Sequence, residues 1–305
     1  MKILVTGGAG FIGSHVTKQL LDRSHNVVVY DNLSRGFKDL VDNRAQLVVG
    51  SISEKDKLIQ TLQNVDAVIH MAAFIIVPES VEKPDVYWEN NVVGTKSLLE
   101  AMRRADVRRI VFSSSATVYG NPDKLPLTEN SPVKKAENPY GQTKIEMENL
   151  IKKEHEENNL SAIILRYFNP YGPNELHDPE THAIPNFVRA ALDHKPIPLY
   201  WQGEQIRDFI YVEDLAAAHV EALNLAGFHL FNVGTGEGTK VKEVVEKIFE
   251  IVGYRVPTQD LGKRSGDVAA LYASAEKIEK ELGWKATVSI EQGLRRTIEF
   301  FRTLA

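Results

Sequence analysis

Tyr140 and Lys144 stand four residues apart in the stretch NPYGQTKIEM, residues 138–147. On a helix that spacing brings both side chains to one face. The chemistry such a pair offers is proton transfer. A free tyrosine has a pKa near 10, so roughly one phenol in a thousand is ionised at pH 7. A nearby ammonium favours the phenolate, and a phenolate can take a proton from a substrate hydroxyl. The spacing alone fits an ordinary surface contact equally well, so the partners decide. The serine run SSSATVYG (113–120) supplies a hydroxyl at Ser115. A hydroxyl, a tyrosine and a lysine beside a nicotinamide ring make a hydride-transfer site, with the proton leaving as hydride leaves the same carbon.

Several elements must position these groups. Asn138 suits an N-cap and Pro139 a first helical residue, which predicts a helix over 140–158. The runs 2–6, 26–31, 46–50, 66–72, 108–114 and 161–168 are short, rich in Val and Ile and almost continuously apolar. Such runs suit strands buried on both faces of a parallel sheet. Between them the patterns of 12–23, 54–63 and 79–104 read as helices, and a last amphipathic helix covers roughly 290–303. Strand and helix in alternation mean an α/β fold with a doubly wound parallel Rossmann-type sheet. The serine run then lies at the carboxyl end of the fifth strand, where ligands of such sheets bind. The segment 169–185 reads as one long loop.

The cofactor signal is VTGGAGFIGSH after the first strand. It fits Gly8-x-Gly10-x-x-Gly13 and also Gly7-x-x-Gly10-x-x-Gly13. Glycines permit a tight turn, close approach of backbone to a pyrophosphate and close helix–strand packing, with the helix N-terminus facing the phosphates. The second strand ends in Asp31, eighteen residues after Gly13. A carboxylate there accepts from ribose hydroxyls and repels a 2′-phosphate, which favours NAD over NADP. Arg35 and Lys38 read as solvated charges. FNVGTGEGTKV (231–241) also has glycines between strand and helix, but no carboxylate-ended strand follows it, so it reads as a structural turn. The expected division is an NAD-binding Rossmann domain over 1–168 plus about 209–233, and a smaller mixed α/β substrate domain over 169–208 and about 234–305.

Together the glycine loop, Asp31-Asn32, SSSATVYG, Tyr140-x-x-x-Lys144 and LRYFNPYG (165–172) resemble the extended short-chain dehydrogenase/reductase family. Within it the chain is most similar to members that interconvert UDP-galactose and UDP-glucose. PESVEKPDVYWENNVVGT (78–95), IRDFIYVEDLAAAHVEAL (206–223) and RSGDVAALYASAEKIEKELGW (264–284) carry the resemblance almost end to end. It implies oxidation of the sugar at C4 to a 4-keto intermediate, rotation of the sugar and re-reduction on the other face, with NAD retained. Tyr140 is then the base, Lys144 lowers its pKa and binds the nicotinamide ribose, and Ser115 bonds the sugar 4-hydroxyl. The implied NAD contacts are Gly7, Gly10, Phe11, Ile12, Gly13, Asp31, Asn32, Ser34, Arg35, Gly36, Ser51, Ile52, Met71, Ala72, Ala73, Asn90, Ser113, Tyr140, Lys144 and Phe168. The implied UDP-sugar contacts are Ser115, Asn169, Ala183, Ile184, Tyr200, Arg207, Arg264, Asp267 and Leu271, with the arginines on phosphate and Asp267 on ribose. A homodimer paired through the helices of 79–104 and 140–158 is also implied. Three positions depart from the pattern: Ser51 replaces an aspartate that meets adenine, Ile75 a lysine near the phosphates, and Leu271 a residue that limits room at the sugar's C2 substituent. Leucine there suggests that N-acetylated UDP-sugars fit too.

Composition limits the alternatives. With a net charge of -5 and a pI of about 6.0 the chain is not expected to live on nucleic acid. It has no cysteine, which excludes disulfides and thiol chemistry. No apolar run approaches the ~18–20 residues of a membrane span, and MKILVTGG enters a strand without a signal-peptide layout, so a cytoplasmic location is expected. His177, Asp178, Glu180 and His182 lack the one-face spacing of a helical metal site and read as solvated, so no metal is expected. A 4,6-dehydratase needs an acid and a base where this chain has Ala116 and Thr117. A decarboxylase or UDP-glucuronate 4-epimerase differs by only one or two pocket side chains and stays open. A non-catalytic NAD-binding regulator is disfavoured by the retained tyrosine and lysine.

Overall fold

Strand β1 (Lys2–Thr6) is KILVT, and its last four residues are buried. It leads through the glycine turn into α1 (Phe11–Asp22) and then β2 (Asn26–Asp31), NVVVYD, buried after its first residue. The computed structural model to which these elements belong describes residues 1–176, 182–263 and 268–304. β3 (Gln46–Val49), α2 (Lys55–Thr61) and β4 (Ala67–His70) follow. The sheet is completed by β5 (Arg109–Ser115), β6 (Ser161–Tyr167) and, later in the chain, β11 (Phe228–Val233). Its order is β3-β2-β1-β4-β5-β6-β11. The pairs β3-β2, β2-β1, β1-β4, β4-β5 and β5-β6 are all parallel. The doubly wound sheet expected from the apolar runs is therefore present, with β3 as the partly exposed edge.

The stretch expected as one helix over 79–104 is broken. It comprises α3 (Val77–Glu82), α4 (Pro84–Tyr87), a π-helical turn (Trp88–Val93) and α5 (Gly94–Arg104). Pro84 cannot donate a helical hydrogen bond and pushes Lys83 to φ -131°, ψ 57°. Helix α6 (Pro139–Asn158) starts as expected: the Asn138 side chain accepts from Gly141 N–H at 2.9 Å, and Asn159 ends it in the left-handed region. One face of the sheet packs Leu4, Val68, Ile110, Phe112 and Ile164 against Leu98 and Met102 of α5 and Met147 and Ile151 of α6. These elements belong to a first compact unit, residues 1–120, 129–167 and 216–231.

A second unit comprises 121–128, 168–215 and 232–305. The segment 169–185, expected as a loop throughout, begins as strand β7 (Asn169–Tyr171) and reaches α7 (Ala183–Leu192) at its end. The strand arises from pairing with β10 (Phe209–Tyr211), a partner forty residues away that local pattern cannot reveal. Strands β8 (Ile197–Leu199) and β13 (Thr258–Asp260) pair in parallel, and β9 (Ile206–Arg207) lies between β12 (Thr239–Lys240) and β14 (Ala270–Leu271). Helices α8 (Val212–Ala222), α9 (Val241–Val252), α10 (Glu276–Leu282) and α11 (Ile290–Arg302) complete the chain. Phe187, Val188, Phe209, Val245, Ile248, Leu294 and Ile298 form this unit's core. The turn at 234–238 wraps round the buried Asp208 carboxylate, which accepts from Thr235 N–H, Thr235 Oγ1, Gly236 N–H and Ala273 N–H. No described helix is long and apolar enough to cross a membrane.

Candidate active site

The glycine loop is forced by its surroundings. Gly7 sits at φ +73°, and a Cβ there would lie 2.7 Å from Ala72 N. A Cβ on Gly13 would lie 2.2 Å from the Gly7 carbonyl oxygen. At Gly10, the N-cap of α1, the nearest contact is the Gly7 oxygen at 3.3 Å, and no side chain caps the first turn. An uncapped helix N-terminus behind a side-chain-free turn suits a pyrophosphate, so the residues present fit a dinucleotide. Phe11, Ile12 and Gly13 form that first turn.

Asp31 anchors the rim. Its Oδ2 accepts from Ala9 N–H at 3.1 Å and Oδ1 from Leu33 N–H at 2.8 Å. Burial raises its pKa against the pull of these two bonds. Asn32 Oδ1 accepts from both the N–H and the hydroxyl of Ser34, and Gly36 closes on Ala9. Arg35 is not simply solvated, as expected from the sequence; its guanidinium holds both Glu79 carboxylate oxygens, at 2.7 and 2.6 Å, and lies over the Phe74 ring. Its charge is thus directed at Glu79. Ser51 Oγ lies 2.8 Å from Ser53 Oγ, its N–H donates to Glu54, and neighbouring Ile52 is buried. Met71 N–H and Ala72 N–H donate to Thr6 Oγ1, which lies 2.7 Å from His70 Nδ1, so the 71–73 turn hangs from β1.

Ser115, at the end of β5, caps the following turn (Ala116–Tyr119), its Oγ accepting from Thr117 N–H and Thr117 Oγ1. Ser115 also acts on Tyr140, drawing the phenol's pKa down against burial. Tyr140 is 8% exposed and Lys144 2%. Lys144 Nζ donates to the Ser113 carbonyl at 2.7 Å and lies 6.0 Å from the Tyr140 ring centre. Burial pushes the Tyr140 phenol up to about 12, opposed by Ser115, and pulls Lys144 down to about 7. The Tyr140 shift runs opposite to the expected depression, because desolvation of the phenolate outweighs the partners this chain provides.

The sequence reading named Asn90 but missed the other supports of this pair. Asn90 donates to Asn91 Oδ1 at 2.9 Å. Buried Asn91 grips the N–H and C=O of Phe74 and donates to Thr143 Oγ1, which in turn donates to the Tyr140 carbonyl. Tyr167, also buried, bonds His219. The doubled asparagine within a helical stretch was the one available signal.

The remaining assigned residues belong to the second unit. Phe168 N–H donates to the Val233 carbonyl. Asn169 Oδ1 is buried without a hydrogen-bond partner among the described residues. Ala183 opens α7, and Ile184 points into the core, which leaves only its backbone for a ligand. Tyr200 is part-exposed beside Trp201 and Gln202, both in the left-handed region. Arg207 and Leu271 are register partners on β9 and β14. Arg264 and Asp267 lie outside the described residues, as do His177, Asp178 and Glu180. His182 Nδ1 lies 2.6 Å from Glu175 Oε1. Among the described residues no group of three or more His, Asp or Glu is placed to hold a metal.

Residues 3–234 match the model of the NAD dependent epimerase/dehydratase family. The chain belongs to that family. It is 41% identical over 301 residues to a UDP-glucose 4-epimerase of Corynebacterium glutamicum, covering 93% of this chain and 90% of the relative. The crystal structure of a UDP-glucose 4-epimerase from Thermotoga maritima with UDP-glucose superposes with a TM-score of 0.96 at 34% identity, over 100% of this chain and 99% of that one. A UDP-N-acetylglucosamine 4-epimerase from Methanobrevibacter ruminantium, solved with UDP-N-acetylmuramic acid, gives 0.94 at 31% identity over 100% and 99%.

Proposed function

We propose that this chain is an NAD-dependent isomerase that interconverts UDP-galactose and UDP-glucose by oxidation at C4 and re-reduction on the opposite face. The observation that carries the reading is the constellation of part-buried Ser115 with buried Tyr140 and Lys144 at the carboxyl end of β5, beside a glycine loop that fits a dinucleotide. The first unit is the NAD-binding domain and the second the nucleotide-sugar domain. NAD is held by the glycine loop, by Asp31 to Gly36, by the 71–73 turn and by Asn90, Ser113, Lys144 and the Phe168 backbone. A nicotinamide ring bound there supplies two-electron redox chemistry at C4 of the sugar.

The chain's own residues handle the proton. Ser115 bonds the 4-hydroxyl and aims it at Tyr140. Tyr140 accepts the hydroxyl proton during oxidation and returns it when the 4-keto sugar is reduced. With its pKa near 12, the phenol gives up its proton only when positive charge lies against the ring. Lys144 and the positive ring of a bound nicotinamide would together supply such charge. Arg207 and Arg264 hold the diphosphate, Asp267 the ribose, and Asn169, Ala183, Ile184 and Tyr200 line the nucleotide site. The exposed apolar residues Val77, Val81, Val86 and Trp88 support a homodimer through that helical face. The protein works in the cytoplasm.

The testing experiment is product analysis with NAD and, separately, UDP-galactose, UDP-N-acetylgalactosamine and UDP-glucuronate. Formation of UDP-glucose from UDP-galactose is the expected result. Turnover of the uronate alone would replace the substrate assignment. N-acetylated substrates are a second reading. It is supported by Leu271 and by the likeness to the UDP-N-acetylglucosamine 4-epimerase. Failure to turn over the N-acetyl sugar by a preparation active on UDP-galactose removes it.

A further inference from the structure

Tyr140, Lys144 and Glu148 follow one another at four-residue spacing along α6, so they stack on one face over two turns. Glu148 is 8% exposed, yet nothing in the proposed reaction uses it. Two strands grip it. Arg166 on β6 donates from Nε to Oε1 at 2.9 Å and from Nη2 to Oε2 at 2.6 Å, and the hydroxyl of Ser114 on β5 donates to Oε1. Arg166 is 3% exposed and lies over the Tyr119 ring at 4.8 Å. The neighbouring residue of β5, Ser113, takes the Lys144 ammonium on its carbonyl. Successive residues of one strand therefore bind successive turns of one helix.

The charges are equally specific. Lys144, Glu148 and Arg166 are all buried, two cations about one carboxylate. Around Lys144 stand Tyr140 and Glu148 on its own helix, His70 on β4 and Tyr167 on β6. His70, held by burial at a pKa of about 3, is neutral at pH 7 and offers no countercharge. Glu148 is the carboxylate that acts on Lys144 among the described residues. Arg166 holds that carboxylate in place.

We propose that Glu148, clamped by Arg166 and Ser114, is a positioning residue for the Tyr140–Lys144 pair. It fixes the rotation and height of α6 against β5 and β6, and it keeps the Lys144 ammonium charged beneath the Tyr140 ring. The inference rests on the assignment of Tyr140 and Lys144 as the proton-handling pair. A buried ion pair adds little to stability over apolar residues of similar volume, so its retention asks for another role.

The test replaces the pair together, Glu148→Leu with Arg166→Met, which leaves no unpaired buried charge. The Lys144 titration is followed through the 13Cε resonances of labelled lysines, assigned with Lys144→Arg. The expected result is a folded protein in which Lys144 loses its proton at lower pH than in the wild type. Its kcat for UDP-galactose should be on the order of 10–100-fold lower, with KM unchanged. A folded double variant with wild-type titration and wild-type kcat overturns the proposal. Ser114→Ala is the second variant and leaves both charges in place. It should lower kcat several-fold with the titration unmoved, and wild-type kcat there counts against the clamp. If the wild type turns over no UDP-sugar, the functional reading fails, while the Lys144 titration still judges the role of Glu148.

Discussion

The Lys144 ammonium donates to the Ser113 carbonyl at 2.7 Å, so the lysine is tied to β5 before it can serve Tyr140. The same burial that makes this bond strong makes the charge costly, and Lys144 falls to about 7. Between pH 7 and 10.5 the folded chain then binds fewer protons at this site than the unfolded chain. Its stability contribution is complete above 10.5 and declines as the pH falls toward 7. Lys144→Met should therefore gain stability over the wild type at pH 6, with the gap closing toward pH 10. Urea unfolding at three pH values measures it, and a gap independent of pH would contradict the account.

Tyr140→Phe keeps the ring in its buried place and removes the phenol. The expected loss in kcat is about 10²–10⁴-fold, with KM for UDP-galactose and bound NAD little changed. Steady-state kinetics with cofactor content measured by absorbance checks both halves.

His70 is fully buried between Thr6 and Thr95, with ring nitrogens 2.7 and 2.9 Å from their hydroxyls. Burial holds its pKa at about 3, below the ordinary histidine value of 6.5. The neutral ring contributes stability above pH 6.5, and this is lost as the pH falls from 6.5 toward 3. His70→Gln should show a shallower decline in unfolding free energy between pH 7 and 4. Parallel slopes for the two proteins would remove His70 from the acid response.

Gly13 and Gly10 separate folding from binding. A methyl on Gly13 meets the Gly7 oxygen at 2.2 Å, so Gly13→Ala should cost about 3 kcal/mol or more. Gly10 has an ordinary φ of -85° and one contact at 3.3 Å, so Gly10→Ala should cost about 1 kcal/mol or less. It should nevertheless weaken NAD binding, because the added methyl stands on the turn that a pyrophosphate must approach. Thermal melts and NAD titration of both variants separate the two effects.

Asp31 and Arg35 test the cofactor preference. Asp31→Asn keeps an acceptor for only one of the Ala9 and Leu33 amides and removes the charge, and should narrow the preference for NAD over NADP about tenfold or more. Glu79→Gln should narrow it further by weakening the hold on Arg35. Dissociation constants for both dinucleotides decide it; an unchanged ratio would move the selection elsewhere.

The features legible before folding were local. Apolar runs of period-free Val and Ile set β1 to β6, the Asn138-Pro139 start set α6, and the glycine spacing with Asp31 set the cofactor turn, each within a window of about twenty residues. The interruption of 79–104 was legible in part, through Pro84, although the π-helical turn that presents Asn90 and Asn91 was not. Strand β7 was invisible because its hydrogen bonds come from β10, and so was the Asp208 carboxylate inside the 234–238 turn. Tertiary structure alone decided that Lys144 meets Ser113, that Arg35 is directed at Glu79, and that Glu148 is clamped from two strands. The physical reason is the same in each case. A polar side chain withdrawn from water must find its partner wherever the fold brings one, and that partner is set by strand order and helix register rather than by its neighbours in the chain.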